Sequence, residues 1–339
     1  MNIFSMIKKV TPTSYQQLQI RFRLLQMIAY YQPIGRRLLA KQTQLSERAI
    51  RTEMDELKEQ GLVCYSKAGM SLTEEGQLIY AELAKQVSYL VTMTPYEEQV
   101  AKVLGIEFCK IVSREDQLGF AVEKLLHQLL PLGESIIAVT GGTTLAKLSH
   151  TWTNFLSQYR ELLFVPARGG VGGSNSIQAN SVSEQMAQKS GGQYESLHVP
   201  EHVGQEAYES LMKEESVARV IALMKQANCL LYSVGEASIM ATRRGLSTEE
   251  QTQLTLQQAV GEVFGSFFNA AGKIVYQLPR VGLHLEDIST IPTKIAIVSG
   301  TEKAEALVAY AHRTSSEHIW FVLTEDVATM VLNGETRKK

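Results

Sequence analysis

The sequence predicts an α/β protein in which an N-terminal winged helix-turn-helix precedes a Rossmann-like α/β body. Three observations predict it. Helical periodicity fills residues 14–60 and ends in two short strand-like runs; short apolar strands alternate with helical stretches after residue 111; and charge divides between the two ends. Residues 1–72 carry 11 Lys/Arg against 5 Asp/Glu, and the remainder 22 against 30, although the net charge is only −2. A basic head on an acidic body suits a chain whose head meets a polyanion. The 339 residues leave room for two domains, and 45% hydrophobic with 20% charged residues excludes a disordered chain. Cys64, Cys109 and Cys229 are too scattered for a disulfide framework or a zinc site, and read as small buried or partly buried residues. The first ten residues place apolar groups before lysines, the reverse of a signal peptide, and no apolar run nears the ~18 residues of a membrane span. A soluble, cytoplasmic protein without a membrane partner is expected.

In the head, Leu18, Phe22, Leu25 and Ile28 recur at helical spacing between Ser14 and Tyr31, with Arg21 and Arg23 outside that stripe, and Pro33 ends the helix. A second helix fits Arg36–Thr43. After a tight Gln44-Leu45 turn, Ser46 is a good N-cap for a third helix that runs to Gln60 and stops at Gly61. Ile50, Met54 and Leu57 share one face of it, while Arg48, Arg51 and Thr52 lie on or beside the other in its first turns. Leu62–Tyr65 and Met70–Leu72 then flank a turn carrying Lys67, as the wing. A recognition helix followed by a wing predicts major-groove contact from Arg48, Arg51 and Thr52, and phosphate positioning by Arg36, Arg37 and Lys67. The bland alternative is a small helical accessory domain with a solvated basic face. Leu78, Ala81, Leu83, Val87 and Leu90 predict a further helix over Thr73–Tyr89, and Thr94-Pro95 opens another through Glu107. The expected division is a DNA-binding domain over 1–92, a connector helix over 93–110 and an effector domain over 111–339. Paired half-sites favour a homodimer or homotetramer.

In the body, strands are expected at Ser135–Val139, Leu162–Pro166, Tyr194–Val199, Cys229–Val234, Lys273–Gln277, Lys294–Val298 and Ile319–Leu323, in a mainly parallel sheet. Ligands of such sheets sit beyond the carboxyl ends of the strands. There, Thr140-Gly141-Gly142-Thr143-Thr144 combines glycines that admit an anion, free N–H groups at a helix start near Leu145, and two hydroxyls. It lacks the Gly-Lys-Ser/Thr of a P-loop and the G-x-G-x-x-G fingerprint. Taken alone it is equally an ordinary tight turn. Pro166–Asn175 sets four glycines around Arg168, a residue suited to phosphate, in an expected flexible loop; Gln178 follows at a helix start. Arg243, Glu262 and Lys303 stand near later strand ends, Glu262 apt for sugar hydroxyls, whereas Arg244 and Glu236 taken alone read as surface residues. His198 and His202 straddle Pro200, so no metal is expected.

At Gln32-Pro33-Ile34-Gly35-Arg36-Arg37, Ser46-Glu47-Arg48, Val139–Thr144, Phe164–Gly172 and Gly261-Glu262-Val263-Phe264-Gly265, the chain resembles the SorC/DeoR-type bacterial sugar-responsive transcriptional regulators. The Pro-Ala-Arg-Gly-Gly segment is the most specific part, and the resemblance covers nearly the whole chain. It implies an operator-binding head, with Ser46 among the DNA-binding positions, and an effector domain folded like sugar-phosphate isomerases and deaminases but without catalysis or cofactor. It implies repression of glycolytic genes and, as effector, a phosphorylated sugar, fructose 1,6-bisphosphate in the glycolytic branch. The matching ligand positions are Gly142, Thr143, Thr144, Arg168, Gln178, Arg243, Glu262 and Lys303. The chain departs from the family at Ser299-Gly300-Thr301, where a more glycine-rich or variable turn is usual. The other reading is a sugar-phosphate isomerase or deaminase with an accessory head, which needs Glu262 or a histidine as acid/base.

Overall fold

The structure, a computed structural model, describes residues 3–43 and 45–335. The chain divides into two compact units, one gathering the head through Thr92 with Pro131–Gly133, the other holding the remainder.

In the first unit, α1 (Ile3–Val10), α2 (Pro12–Tyr31), α3 (Arg36–Thr43) and α4 (Glu47–Glu59) precede the strands β1 (Val63–Tyr65) and β2 (Met70–Leu72), followed by α5 (Glu74–Ala84) and α6 (Val87–Leu90). Each boundary has a local cause. Pro12 occupies the first turn of α2, where a missing N–H loses no helical bond, and the chain leaves that helix before Pro33. The Ser46 hydroxyl accepts from the Ala49 N–H at 3.1 Å at the start of α4, and Gly61 turns the chain out of it at φ +73°. Strands β1 and β2 pair antiparallel, and Ile34 bridges to Met70 at their edge. Gly69 is required there, because a Cβ would stand 2.8 Å from the Ile34 carbonyl oxygen. Gln44, half of the expected turn, lies outside the described residues.

Two expectations for this unit need correction. The α2 helix buries Leu24 and Met27 as well as Phe22, Leu25 and Ile28, because it packs on α3 and β2 and also on α1 and α5. A central helix needs more than one stripe. The helix expected over Thr73–Tyr89 breaks after Ala84, and Leu78 is 70% exposed. Tyr80 and Leu83 pack into the cluster around Phe22 instead. Cys64 on the wing is exposed, whereas Cys109 and Cys229 are buried.

The second unit opens with α7 (Pro95–Leu104), held by a Thr94–Glu97 capping box and ended by Gly105 in the left-handed region, short of the expected Glu107. Then come β3 (Phe108–Val112), α8 (Leu118–Leu129), β4 (Gly133–Val139), α9 (Thr143–Thr151), β5 (Arg160–Pro166), α10 (Ala179–Ser190), β6 (Gln193–Tyr194), α11 (Gln205–Leu211), α12 (Glu215–Lys225) and β7 (Cys229–Tyr232). After them follow β8 (Gly235–Glu236), α13 (Ala237–Arg243), α14 (Thr248–Leu256), β9 (Ala259–Val263), β10 (Ser266–Asn269), β11 (Ile274–Gln277), α15 (Leu285–Ile288), β12 (Thr293–Val298), α16 (Ala304–Arg313), β13 (Ile319–Thr324) and α17 (Glu325–Asn333).

Seven strands form one sheet in the order β3-β13-β12-β7-β4-β5-β6, with parallel pairing at β3–β13, β13–β12, β12–β7, β7–β4 and β5–β6. Its inner strands β7 and β13 are buried at every position, as helices on both sides require. The run expected at Lys273–Gln277 belongs elsewhere, to an antiparallel sheet β11-β10-β9-β8. The β9–β10 hairpin turns on Phe264 and Gly265, both at positive φ (52° and 75°), the geometry of a tight two-residue turn. The strand expected over Tyr194–Val199 shrinks to Gln193–Tyr194 at the sheet edge.

Candidate functional site

Strands β4 and β7 are neighbours, but the chain leaves β4 toward β5 on one side while β7 leads to the other. The crevice at their carboxyl ends is the switch point where doubly wound sheets bind ligands. A cleft opens there, lined by Thr140–Thr144 after β4 and by Ser233–Glu236 after β7.

The loop after β4 is built to bring backbone close to a ligand. Gly142 caps α9 at φ +110°, a conformation strained for any side chain, and a Cβ on Gly141 would stand 2.2 Å from the Ile177 carbonyl oxygen. The first turn of α9 starts at Thr143, so its amide N–H groups have no helical acceptor and present positive potential to the cleft. The buried Thr144 hydroxyl accepts from Lys303 Nζ at 2.6 Å. Burial pulls the Lys303 ammonium below the ordinary lysine range; Glu302 counteracts this and Arg243 adds to it.

Arg168 follows β5 on a segment that is pinned rather than flexible. The Gly169 N–H donates to the Val281 carbonyl at 3.0 Å, the Leu283 N–H to the Ala167 carbonyl at 3.0 Å, and the Gly170 N–H to the Val199 carbonyl at 2.8 Å. Gly282 permits this closeness, since a Cβ there would lie 2.6 Å from the Arg168 Cα. Gly170 and Gly172–Ser176 are exposed while Pro166–Gly169 is buried, which corrects the expectation of one long flexible loop. Burial lowers the Arg168 guanidinium to about 10; Glu201 opposes the shift, Arg244 and Arg280 reinforce it, and the side chain stays cationic at neutral pH.

Behind the cleft, Glu201 is shared by three guanidiniums: it pairs with Arg244, lies 3.0 Å from Arg280 and 4.0 Å from Arg168. Burial pushes the Glu201 carboxyl up, but Arg280, Arg244 and Arg168 outweigh it and hold it below the ordinary range. Arg244, expected at the surface, instead has a 7% exposed side chain and bridges Glu201 to Glu262, the latter at 2.7 Å. Glu262 also accepts from the Gly265 N–H, so the same carboxylate holds the hairpin turn and lines the cleft. Glu236 lines it too, as the N-cap of α13, accepting from the Ile239 N–H at 2.9 Å.

Of the eight expected ligand positions, the structure brings Gly142, Thr143, Thr144, Arg168, Arg243, Glu262 and Lys303 into one cleft. Gln178 is not among its lining residues. Its amide is committed to the backbone of Val171, accepting from the N–H at 3.1 Å and donating to the carbonyl at 2.7 Å, and so closes the glycine segment. Sequence reasoning missed Glu201 and Arg280. The available signal was a charged residue flanked by apolar and turn residues, in Val199-Pro200-Glu201 and Leu278-Pro279-Arg280-Val281-Gly282. Among the described residues no histidine lines the cleft, and no cluster of three metal-ligating groups occurs.

In the head, Arg36, Arg37, Ser46, Arg48, Arg51, Thr52 and Lys67 are all exposed. Ile50, Met54 and Leu57 turn the opposite face of α4 into the core. The Thr52 hydroxyl donates to the Arg48 carbonyl at 3.2 Å, and Arg51 lies 3.8 Å from Asp55 in a solvent-exposed pair. Lys67 sits in the turn between β1 and β2, the tip of the wing.

Two family profiles match the chain: one described as "Putative sugar-binding domain" over residues 89–333, the other as "CggR N-terminal DNA binding domain" over residues 18–87. The chain belongs to the SorC family of sugar-binding transcriptional regulators. The "Central glycolytic genes regulator" of Bacillus subtilis (strain 168) is 39% identical over 335 residues, covering 97% of this chain and 98% of that protein. That of Priestia megaterium is 34% identical over 333 residues, covering 96% of each. Among solved structures, a SorC family transcriptional regulator from Enterococcus faecalis is 39% identical with a TM-score of 0.66, covering 70% of this chain and 100% of that one. The full-length sorbitol operon regulator SorC from Klebsiella pneumoniae shares the fold, with a TM-score of 0.59 at 16% identity over 92% of this chain and 99% of that one. The SorC-family chain is therefore a DNA-binding, sugar-responsive transcriptional regulator and not an enzyme, which sets aside the isomerase or deaminase reading. No helix among the described residues is long and apolar enough to cross a membrane.

Proposed function

We propose that this SorC-family regulator represses glycolytic genes and that fructose 1,6-bisphosphate is the effector that modulates its operator binding. The carrying observation is the pairing of Lys303 with Thr144 at the start of α9, in a cleft that also holds Arg168, Arg243 and Glu262. An amide-rich helix start with a lysine suits one phosphate, the arginines suit anionic oxygens, and Glu262 suits sugar hydroxyls. The names of the 39% and 34% identical relatives support the glycolytic assignment.

In this reading Arg48, Arg51, Thr52 and Ser46 on or beside α4 meet the major groove, and Arg36, Arg37 and Lys67 meet backbone phosphates. The protein acts in the cytoplasm as a homodimer or homotetramer on paired half-sites. A sugar phosphate changes operator binding only by its differential affinity for the DNA-competent and DNA-incompetent states.

The test is a thermal melt with fructose 1,6-bisphosphate, fructose 6-phosphate, ribose 5-phosphate and glucosamine 6-phosphate, followed by operator binding with and without the stabilising ligand. At about 100 times its dissociation constant a ligand stabilises the native state by about 2.7 kcal/mol, a clear upward shift. A shift with the bisphosphate that also changes operator affinity is expected. A melt insensitive to every sugar phosphate overturns the proposal.

A further inference from the structure

Arg280 is the most buried cation of the cleft, with a side chain 1% exposed. Its Nη2 lies 3.0 Å from Glu201 Oε1 and 3.4 Å from the Ala167 carbonyl oxygen, and its guanidinium carbon stands 5.3 Å from the centre of the Phe264 ring. Its Nε and Nη1 meet no acceptor among the described residues. Buried N–H groups of a cation are costly to leave without partners, and native structures rarely do so away from functional sites. The surroundings point the same way. Arg168, Arg244 and Arg280 stand against two carboxylates, Glu201 and Glu262, so the buried group carries excess positive charge. Of the other acids lining the cleft, Glu236 is committed to the Ile239 N–H, and Glu302 interacts with the neighbouring Lys303.

We infer that Arg280 donates to a second anionic group of the effector, the first being held by Gly142–Thr144 and Lys303. This rests on the sugar-phosphate reading above and adds the residue that selects for two anionic groups over one. Glu201 is its positioning partner, lying 3.0 Å from Nη2, while Nε and Nη1 are left without an acceptor among the described residues.

The experiment is calorimetric titration of the full chain, as wild type, Arg280→Gln and Arg280→Lys, with fructose 1,6-bisphosphate, fructose 6-phosphate and inorganic phosphate. Wild type is expected to prefer the bisphosphate. Arg280→Gln is expected to weaken the bisphosphate by roughly tenfold or more, about 1.4 kcal/mol, while the monophosphate changes by less than about twofold. Arg280→Lys keeps the charge that balances Glu201, and so the fold, but not the two donor positions; it is expected to lose most of the preference. Operator binding and the melting point check that each variant is folded, and if the Gln variant is not, the Lys variant decides. An unchanged preference in Arg280→Lys, or an equal loss for both sugars, overturns the inference. A wild type that binds both sugars equally, or inorganic phosphate as tightly as the bisphosphate, also overturns it. A wild type that binds no phosphorylated sugar overturns the proposed function itself.

Discussion

Lys303 Nζ and Thr144 Oγ1 meet at 2.6 Å at the start of α9, joining the turn after β12 to the first turn of that helix in one anion-facing group. Removing the hydroxyl takes a donor from the ligand and an anchor from the lysine. Thr144→Ala is expected to weaken sugar-phosphate binding by about tenfold, about 1.4 kcal/mol, and Arg168→Ala by at least as much. Both variants are expected to retain operator binding while losing sugar-phosphate sensitivity. Ligand-dependent melts and operator titrations of the two variants check this, and full sensitivity in both contradicts the site.

The same lysine gives the site a pH dependence. Burial lowers its value in the folded protein, so its charged form costs stability at neutral pH, and that cost is relieved as pH rises through the folded value toward the unfolded one near ~10.4. An anionic ligand favours the charged form, so affinity is expected to fall as pH rises through the depressed value of the free protein. Titrations from about pH 7.5, above the second phosphate ionisation near ~6, to well below the Arg168 value of about 10 keep those two groups out of the window. Lys303→Met is expected to bind more weakly and to flatten the profile; a profile as steep in that variant assigns the titration to another group.

Glu201 is expected to matter for stability more than any other acid of the body. Its replacement by Gln leaves three buried guanidiniums without their shared carboxylate, and losing one partner of a buried ion pair costs about 3–5 kcal/mol. Because the Glu201 carboxyl is held below its unfolded value, its contribution is complete above that value, near ~4.3, and is lost as pH falls through the folded one. Urea midpoints between about pH 6 and pH 3 are expected to show a shallower acid loss in Glu201→Gln than in wild type. A variant as stable as wild type at pH 7 contradicts this role.

These residues also mark where sequence reading stops. The α4 helix was legible because its cap, its buried stripe and its terminating glycine all lie within sixteen consecutive residues, Ser46–Gly61. The cradle after β4 was legible for the same reason, glycines and threonines being contiguous. The ion network was not, because residues 168, 201, 244, 262 and 280 meet only through the fold: Arg168 and Glu262 read as ligand positions, Arg244 as a surface charge, and Glu201 and Arg280 stood out not at all. The hairpin sheet was missed for a different cause: a four-residue run such as Ile274–Gln277 fits an antiparallel strand as well as a parallel one, and positive φ at Phe264 has no sequence signature.

Gly141 tests the cradle through the backbone rather than through a donor. A methyl group there would sit 2.2 Å from the Ile177 carbonyl oxygen and 2.7 Å from Arg168 Nη2, so Gly141→Ala must displace either the segment before α10 or the arginine. Overpacking of this kind costs about 1–3 kcal/mol. A lower melting point and a loss of sugar-phosphate response beyond that of Thr144→Ala are expected together, and a normal response contradicts the close approach.

The head is expected to announce itself through salt. Arg36, Arg37, Arg48, Arg51 and Lys67 are exposed, whereas Arg21 is held by Glu53 at 2.7 Å. Exposed cations that replace condensed counterions on DNA make log affinity fall linearly with log salt, by about 0.9 per phosphate neutralised. Lys67→Ala, a wing-tip contact, is expected to reduce the slope by about 1 and to weaken all sequences alike. Arg48→Ala, on the solvent face of α4, is expected to narrow the gap between operator and non-specific DNA by about 1–3 kcal/mol, because a base contact carries discrimination. Operator and scrambled-duplex titrations over a range of salt separate the two. Arg21→Ala is expected to lower the melting point without changing either slope, and a salt slope that moves with Arg21 would reassign the DNA-facing surface.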